Sequence, residues 1–255
     1  MFFSQLSTAV SSFFEAHRFI KKHNLWTFVL LPGIINLFIF LFVTVAAWQL
    51  SDQFIQYLTD TLMPNWESLN WLKSAVIFVL HIAIRILFFT LYLFVYKQCV
   101  LVIMAPIMAY LTEIVMEKQG YPVPPFEVST FLKNTWRGIT IAIINLFKEF
   151  VLLLLLGFLV SVPILGLLVP IIGFLVTAYF YGYSLMDYRS EIQGLKRKES
   201  NLFVFKHKGI AVGIGGMFYL MLLIPFAGIL LAPSYSIVAA NISLDLVEKK
   251  VQSRK

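Results

Sequence analysis

Apolar residues run almost unbroken from Leu25 to Leu50, and again over 74–96, 150–183 and 210–244, with polar connections between them. The first run holds 26 residues, more than the roughly 20 needed to cross about 30 Å of hydrocarbon. It predicts a transmembrane helix over 25–50 that tolerates Pro32 and Asn36. Residues 74–96 predict the return helix, in spite of His81 and Arg85. The chain stays apolar from Gln98 to Tyr110, so this helix either runs past the membrane or turns at Ala105-Pro106. Residues 1–24 differ in pattern. Phe3, Leu6, Val10, Phe13, Phe14 and Ile20 recur at helical spacing, with Arg18, Lys21 and Lys22 toward the end. That describes an amphipathic helix at the headgroup level, and no cleavable leader pattern is present.

The last two apolar stretches are each broken in the same way. Val162-Pro163-Ile164-Leu165-Gly166 is followed by Pro170, and Ile224-Pro225-Phe226-Ala227-Gly228 by Pro233. A proline inside a helix removes a backbone donor and clashes with the preceding turn, so each stretch is expected to be two arms joined by a kink or tight turn. The first arms, 13 residues over Phe150 to Val162 and 15 over Ile210 to Ile224, reach only about 20 Å at about 1.5 Å per residue. The return arms are long enough to cross, so re-entrant hairpins and full spans both accommodate the lengths. Paired, proline-interrupted segments of this kind point to a transport site.

Composition agrees with that class. With 60% hydrophobic and 13% charged residues and a mean hydropathy of +0.85, the chain reads as an integral membrane protein forming one membrane domain. Lys and Arg are distributed three before Leu25, one over 51–73, five over 97–148, six over 189–208 and four at the C-terminus. The positive-inside rule then puts both termini and both large connections in the cytoplasm. Trp66, Glu67 and Trp71 fall in the outer connection. The single cysteine, Cys99, has no internal disulfide partner.

Few residues carry candidate chemistry. Arg85, the only basic residue within a span, is costly in hydrocarbon and is expected to face the protein interior, with His81 one turn earlier on the same face. The pair reads either as an anion contact or as a structural polar patch. Ser161, Gly166, Gly228, Ser234 and Ser236 flank the breaks, where backbone amides at helix ends could hold an oxyanion; small residues that permit tight packing are the plainer reading. Asn36 is expected either to bridge helices or to bond the carbonyl released by Pro32. Gly213-Ile214-Gly215-Gly216 lacks the context of a phosphate loop and reads as close-packing glycine. The histidines have no metal-ligand spacing, no nucleophile with a base can be assembled, and no cofactor or nucleotide motif occurs. The basic clusters at 196–198 and 206–208 suit anionic lipid, not nucleic acid.

In order and spacing, Leu30-Leu31-Pro32-Gly33-Ile34-Ile35-Asn36, Ala105-Pro106 with Leu111 and Glu113, the Pro163–Gly166 turn, Tyr183 with Asp187-Tyr188, and Pro225 with Pro233 resemble the CysZ-type sulfate permease family, which shares a domain with the etoposide-induced membrane proteins. The resemblance implies an all-α bacterial inner-membrane protein with two long transmembrane helices and two partly penetrating hairpins. It implies sulfate import for cysteine synthesis by an oligomer. The family's Gly-Leu/Ile-Arg motif before the first span aligns with Asn24-Leu25-Trp26, so only Leu25 matches. The expected function is passive or ion-coupled oxyanion transport; the alternative is a membrane scaffold that interacts with lipid.

Overall fold

The computed structural model describes residues 2–62, 70–123, 125, 127–159, 166–224 and 226–252. Ser161, Pro163, Pro225, Trp66 and Glu67 fall outside these residues. The described elements are helical: α1 (Phe2–Lys22), α2 (Trp26–Leu62), α3 (Asn70–Lys118), α4 (Val128–Phe158), α5 (Val169–Ile192), α6 (Arg197–Lys206), α7 (Lys208–Leu222) and α8 (Ala227–Gln252). Parts of α2, α4, α5 and α8 are long and apolar enough to cross a membrane. The protein is an all-α integral membrane protein. Its chain forms two compact units, residues 1–36 with 101–255 and residues 37–100, and α2 and α3 each contribute to both.

In the larger unit α5 and α7 cross at two glycines. A Cβ on Gly182 would collide with the Ala211 carbonyl, and one on Gly215 with the Ala178 carbonyl. Backbone therefore meets backbone at both points, the close approach that small residues allow between membrane helices. Tyr181 stacks on Phe218 beside this crossing, ring centres 3.9 Å apart. α1 lies against α7 and α8, and Gly213 leaves room for Ala9.

The face that α1 buries is Gln5, Ala9, Ser12, Phe13, Ala16 and Ile20. Phe3 and Phe14, which the apolar pattern counted on the same face, are 79% and 69% exposed. Small side chains on this face, Ala9, Ser12 and Ala16, let the helix approach closely, with Phe13 and Ile20 buried beside them. Gln5 adds specificity: its Nε2 donates to the Lys206 carbonyl at 3.0 Å, and its Oε1 accepts from the Gly209 amide at 3.1 Å.

The prolines are accommodated differently. Pro170 sits in the first turn of α5, where a missing N–H costs nothing. Pro233 lies inside α8 and leaves the carbonyl of Ile229, four residues back, without its helical donor. The Asn36 side chain donates to that carbonyl from α2. One residue further, Gly33 lets the α2 backbone touch the Leu230 carbonyl, and Ser234 Oγ donates back to the Val29 carbonyl at 3.1 Å. Asn36 thus bridges helices, and the carbonyl it serves is released by Pro233, not Pro32.

α3 passes through Pro106 without turning and continues to Lys118. α4 starts at Val128 and runs for 31 residues, about 46 Å at 1.5 Å per residue. The first arm is therefore much longer than the apolar run from Phe150 suggested, because its start is an amphipathic stretch whose buried positions are Gly138, Ile141, Ala142, Asn145 and Glu149.

Candidate functional site

α1 ends at Asn24, whose φ of 53° is left-handed, a conformation that asparagine tolerates better than most residues. The Leu25 amide closes the turn onto the Ile20 carbonyl at 3.0 Å. Asn24 thus fills the glycine position of the aligned Gly-Leu-Arg motif with a residue that keeps the turn. The arginine position is Trp26, whose ring lies edge-on to His17 at 6.0 Å.

Cations from elsewhere surround this turn. A cleft of about 430 Å³ is lined by Arg18, Lys22 and His23 around the end of α1, Lys118 at the end of α3 and Lys249 on α8. Two carboxylates, Glu15 and Asp245, also line it. Lys249 is bound to Asp245 at 2.9 Å, so the balance remains positive. Burial, then the Lys22 and Lys118 charges, push the His23 imidazole below its ordinary value. The potential in this cleft favours an anion.

Next to the cleft stands a network that holds helix ends together. Arg189 is 1% exposed; it pairs with Glu248 at 2.8 Å, donates to Gln119 Oε1 at 3.0 Å and packs over the Tyr121 ring at 4.4 Å. Tyr121 donates to Asp245 at 2.7 Å, and burial followed by this bond raises its phenol above the usual range. A second cluster joins Arg137 to Asp187 at 3.3 Å, to Glu191 at 3.5 Å and to the Leu195 carbonyl at 2.7 Å. The Ser200 hydroxyl also donates to Asp187. Asp187 and Tyr188 had been marked by the family resemblance, but their partners are distant in the chain and were missed.

Glu149 was missed as well. It lies in the apolar arm and is 2% exposed. It shares a face with Asn145, which donates to Ser184 Oγ at 3.0 Å, and stands within electrostatic range of the Tyr219 hydroxyl. A buried carboxylate beside an apolar run is a candidate functional residue. Its only signal in the sequence is a charge at the edge of a long leucine run.

The expected site residues are divided between the two compact units. In the smaller unit Arg85 Nη2 pairs with Asp52 Oδ1 at 2.8 Å, and its guanidinium lies 3.9 Å over the Trp48 ring. His81 Nδ1 is 2.8 Å from the Ile77 carbonyl of its own helix, so His81 and Arg85 have separate partners. Asp52 follows the end of the Leu25–Leu50 run, so the ion pair lies where the first apolar run has ended. In the larger unit the Gly228 amide already donates to the Ile224 carbonyl at 2.9 Å. The glycine itself is demanded by close contact with the Met221 carbonyl. Ser234 is bonded to Val29, Ser236 Oγ is buried with no partner among the described residues, and Gly166 stands just before α5.

Comparison with known proteins agrees with this architecture. Residues 12–233 match the EI24 family, described as Sulfate transporter CysZ/Etoposide-induced protein 2.4. A protein named Sulfate transporter CysZ from Pseudomonas paraeruginosa (strain DSM 24068 / PA7) is 27% identical over 229 residues, 86% of this chain and 87% of its own. A protein of the same name from Pseudomonas aeruginosa (strain LESB58) is 26% identical over the same shares. With residues 12–233 matched, the chain belongs to the Sulfate transporter CysZ/Etoposide-induced protein 2.4 family.

Proposed function

We propose that this protein carries a small inorganic oxyanion, sulfate first, across the bacterial inner membrane, supplying sulfur for cysteine synthesis. The observation that carries the reading is the positive cleft lined by Arg18, Lys22, His23 and Lys118, with His23 immediately before the aligned family motif at Asn24-Leu25-Trp26. An arginine missing from the motif is replaced in charge by cations that arrive from α1 and α3. Both relatives' names as sulfate transporters support the substrate. Flux is passive or ion-coupled, both termini face the cytoplasm, and the cleft then opens on that side. A homo-oligomer suits the apolar residues left outside on α4 and α5, such as Phe147 and Ile171.

Arg85 has a smaller part in this reading than its charge alone suggests. With Asp52 at 2.8 Å the pair is nearly neutral as a unit, so a dianion gains less there than from the cleft. The test is uptake of labelled sulfate into proteoliposomes. The native chain is expected to exceed empty vesicles, and Arg18→Ala with Lys22→Ala to lower uptake about tenfold, the loss of one charge-assisted contact. Uptake equal to empty vesicles would remove the proposal. Uptake that is intact in the double variant would move the docking site elsewhere.

A further inference from the structure

The smaller unit contains a feature that oxyanion transport does not use. Between α2 and α3 lies a cavity of about 340 Å³ whose lining includes Phe40, Trp48, Phe88, Phe89 and Tyr92, with Arg85 and Ser51 toward the Asp52 end. The walls are aromatic, and the two aliphatic hydroxyls are occupied: Ser51 Oγ donates to the Trp48 carbonyl at 2.7 Å and Thr44 Oγ1 to the Phe40 carbonyl at 2.7 Å, with the Tyr92 hydroxyl 3.2 Å from Thr44 Oγ1. A bare dianion would lose its hydration in such a slot and gain almost no donors. The ion pair at its end is different in kind. Arg85 and Asp52 are 35% and 46% exposed, so both remain within reach of a ligand. The guanidinium uses Nη2 on Asp52 Oδ1, while Nη1 is buried and has no acceptor among the described residues.

An apolar slot that ends at Arg85, with the half-exposed Asp52 carboxylate 2.8 Å from that guanidinium, is complementary to an amphiphile that has both charges in its own head. The level agrees, because Asp52 comes just after the apolar run and Trp48, Arg85's stacking partner, belongs to the residue type that favours membrane–water interfaces. We infer that this cavity is a binding site for a zwitterionic glycerophospholipid with a primary ammonium head. An acyl chain lies along Phe40, Phe88 and Tyr92, the phosphate meets the Arg85 guanidinium, and the ammonium donates to the second Asp52 oxygen. A quaternary choline head cannot make that last bond, and an anionic glycerol head places no cation on Asp52.

The experiment is native mass spectrometry of the full chain released from nanodiscs that contain equal amounts of phosphatidylethanolamine, phosphatidylcholine and phosphatidylglycerol. Retained phosphatidylethanolamine should exceed phosphatidylcholine about tenfold, or 1.4 kcal/mol. Asp52→Asn should level those two, Arg85→Gln should release all three, and Arg85→Asp combined with Asp52→Arg should restore the preference. Ala47 lines the same cavity, so Ala47→Phe fills the slot without touching the ion pair and should also release the lipid. That variant keeps the test open if Arg85→Gln fails to fold. Equal retention of the ethanolamine and choline lipids by the native chain overturns the inference. So does dominance of phosphatidylglycerol, displacement of the lipid by excess inorganic sulfate, or retention unchanged in Ala47→Phe. Because sulfate uptake is read separately, failure here leaves the transport proposal standing, and the reverse also holds.

Discussion

The two compact units hold their helices together by different means. In the larger, α5 and α7 touch through backbone at Gly182 and Gly215, and the end of α5 is tied to α8 and α4 by largely buried ion pairs, Arg189 being the extreme at 1% exposed. In the smaller, α2 and α3 meet through rings, with Phe40 against Tyr92 and Tyr96 and Phe54 against Phe88. The Arg85–Asp52 ion pair there is half-exposed. Backbone contact has no slack, since any added atom must displace a helix. Ring contact is adjustable, and it leaves a cavity. The first kind of packing suits a part that must keep one geometry around a charged cleft, and the second suits a part that shares its surface with lipid.

The largest way to break that contrast is to add atoms at the glycine crossing. Gly182→Val and Gly215→Val should cost more than about 4 kcal/mol each and yield no monodisperse protein in size-exclusion chromatography. The same enlargement at Ala47, in the smaller unit, should leave the thermal unfolding midpoint close to native. Removal of one partner from a buried pair comes next. Glu248→Gln leaves Arg189 buried with a neutral partner and should destabilise by about 3 kcal/mol, whereas Asp52→Asn should cost at most about 1 kcal/mol. Comparison of unfolding midpoints in the same detergent decides this, and equal losses would erase the distinction between the units.

A finer test concerns the proline. Asn36→Leu strips the Ile229 carbonyl of its donor and should cost about 1–3 kcal/mol. Pro233→Ala restores a helical N–H to that carbonyl, so the double variant should recover part of the loss. Additive losses would show that the bond has another role.

The smallest effect is electrostatic. With its pKa lowered by burial and by Lys22 and Lys118, His23 takes up its proton only below the ordinary value. Its contribution therefore falls away as pH drops from about 6.5 toward the folded-state value, since the unfolded chain binds the proton first. A dianion bound in the cleft acts in the opposite sense and should raise the pKa. Titration of the His23 ring by NMR with and without sulfate reads this directly, and an unmoved titration would take the ion away from the cleft.

Much of this was legible in the chain because it depends on runs of one kind of residue. The span over 25–50, the broken stretches and the glycine-rich Gly213–Gly216 segment are local patterns, and α2, α7 and α8 follow them. What was illegible depends on pairs far apart. Asn36 and Ile229 are separated by 193 positions, so the true partner of the asparagine could not be read from the nearby Pro32. The level of Arg85 follows from its register with Asp52, which no periodicity reveals. On α1 the apolar pattern counts Phe3, Phe13 and Phe14 alike, yet only Phe13 is buried, together with Ala9, Ser12 and Ala16, because close approach to a neighbour depends on size as well as apolarity. The cleft drew its charge from α1, the end of α3 and α8; each cation alone looked like an anchor for the membrane surface.

The bond from Asn36 to the Ile229 carbonyl also has a mechanical meaning. An ordinary helix presents identical rungs to a neighbour and can slip by one turn with little change in its contacts. Here Pro233 leaves a single rung vacant, Asn36 is inserted in it, and the Gly33 backbone seats against the adjacent carbonyl of Leu230. The joint has one register and acts as a key in a lock. Any conformational cycle must then carry the start of α2 and the first turns of α8 as a single lever, and because α1 also lies against α8, the bending is taken up outside these three helix segments.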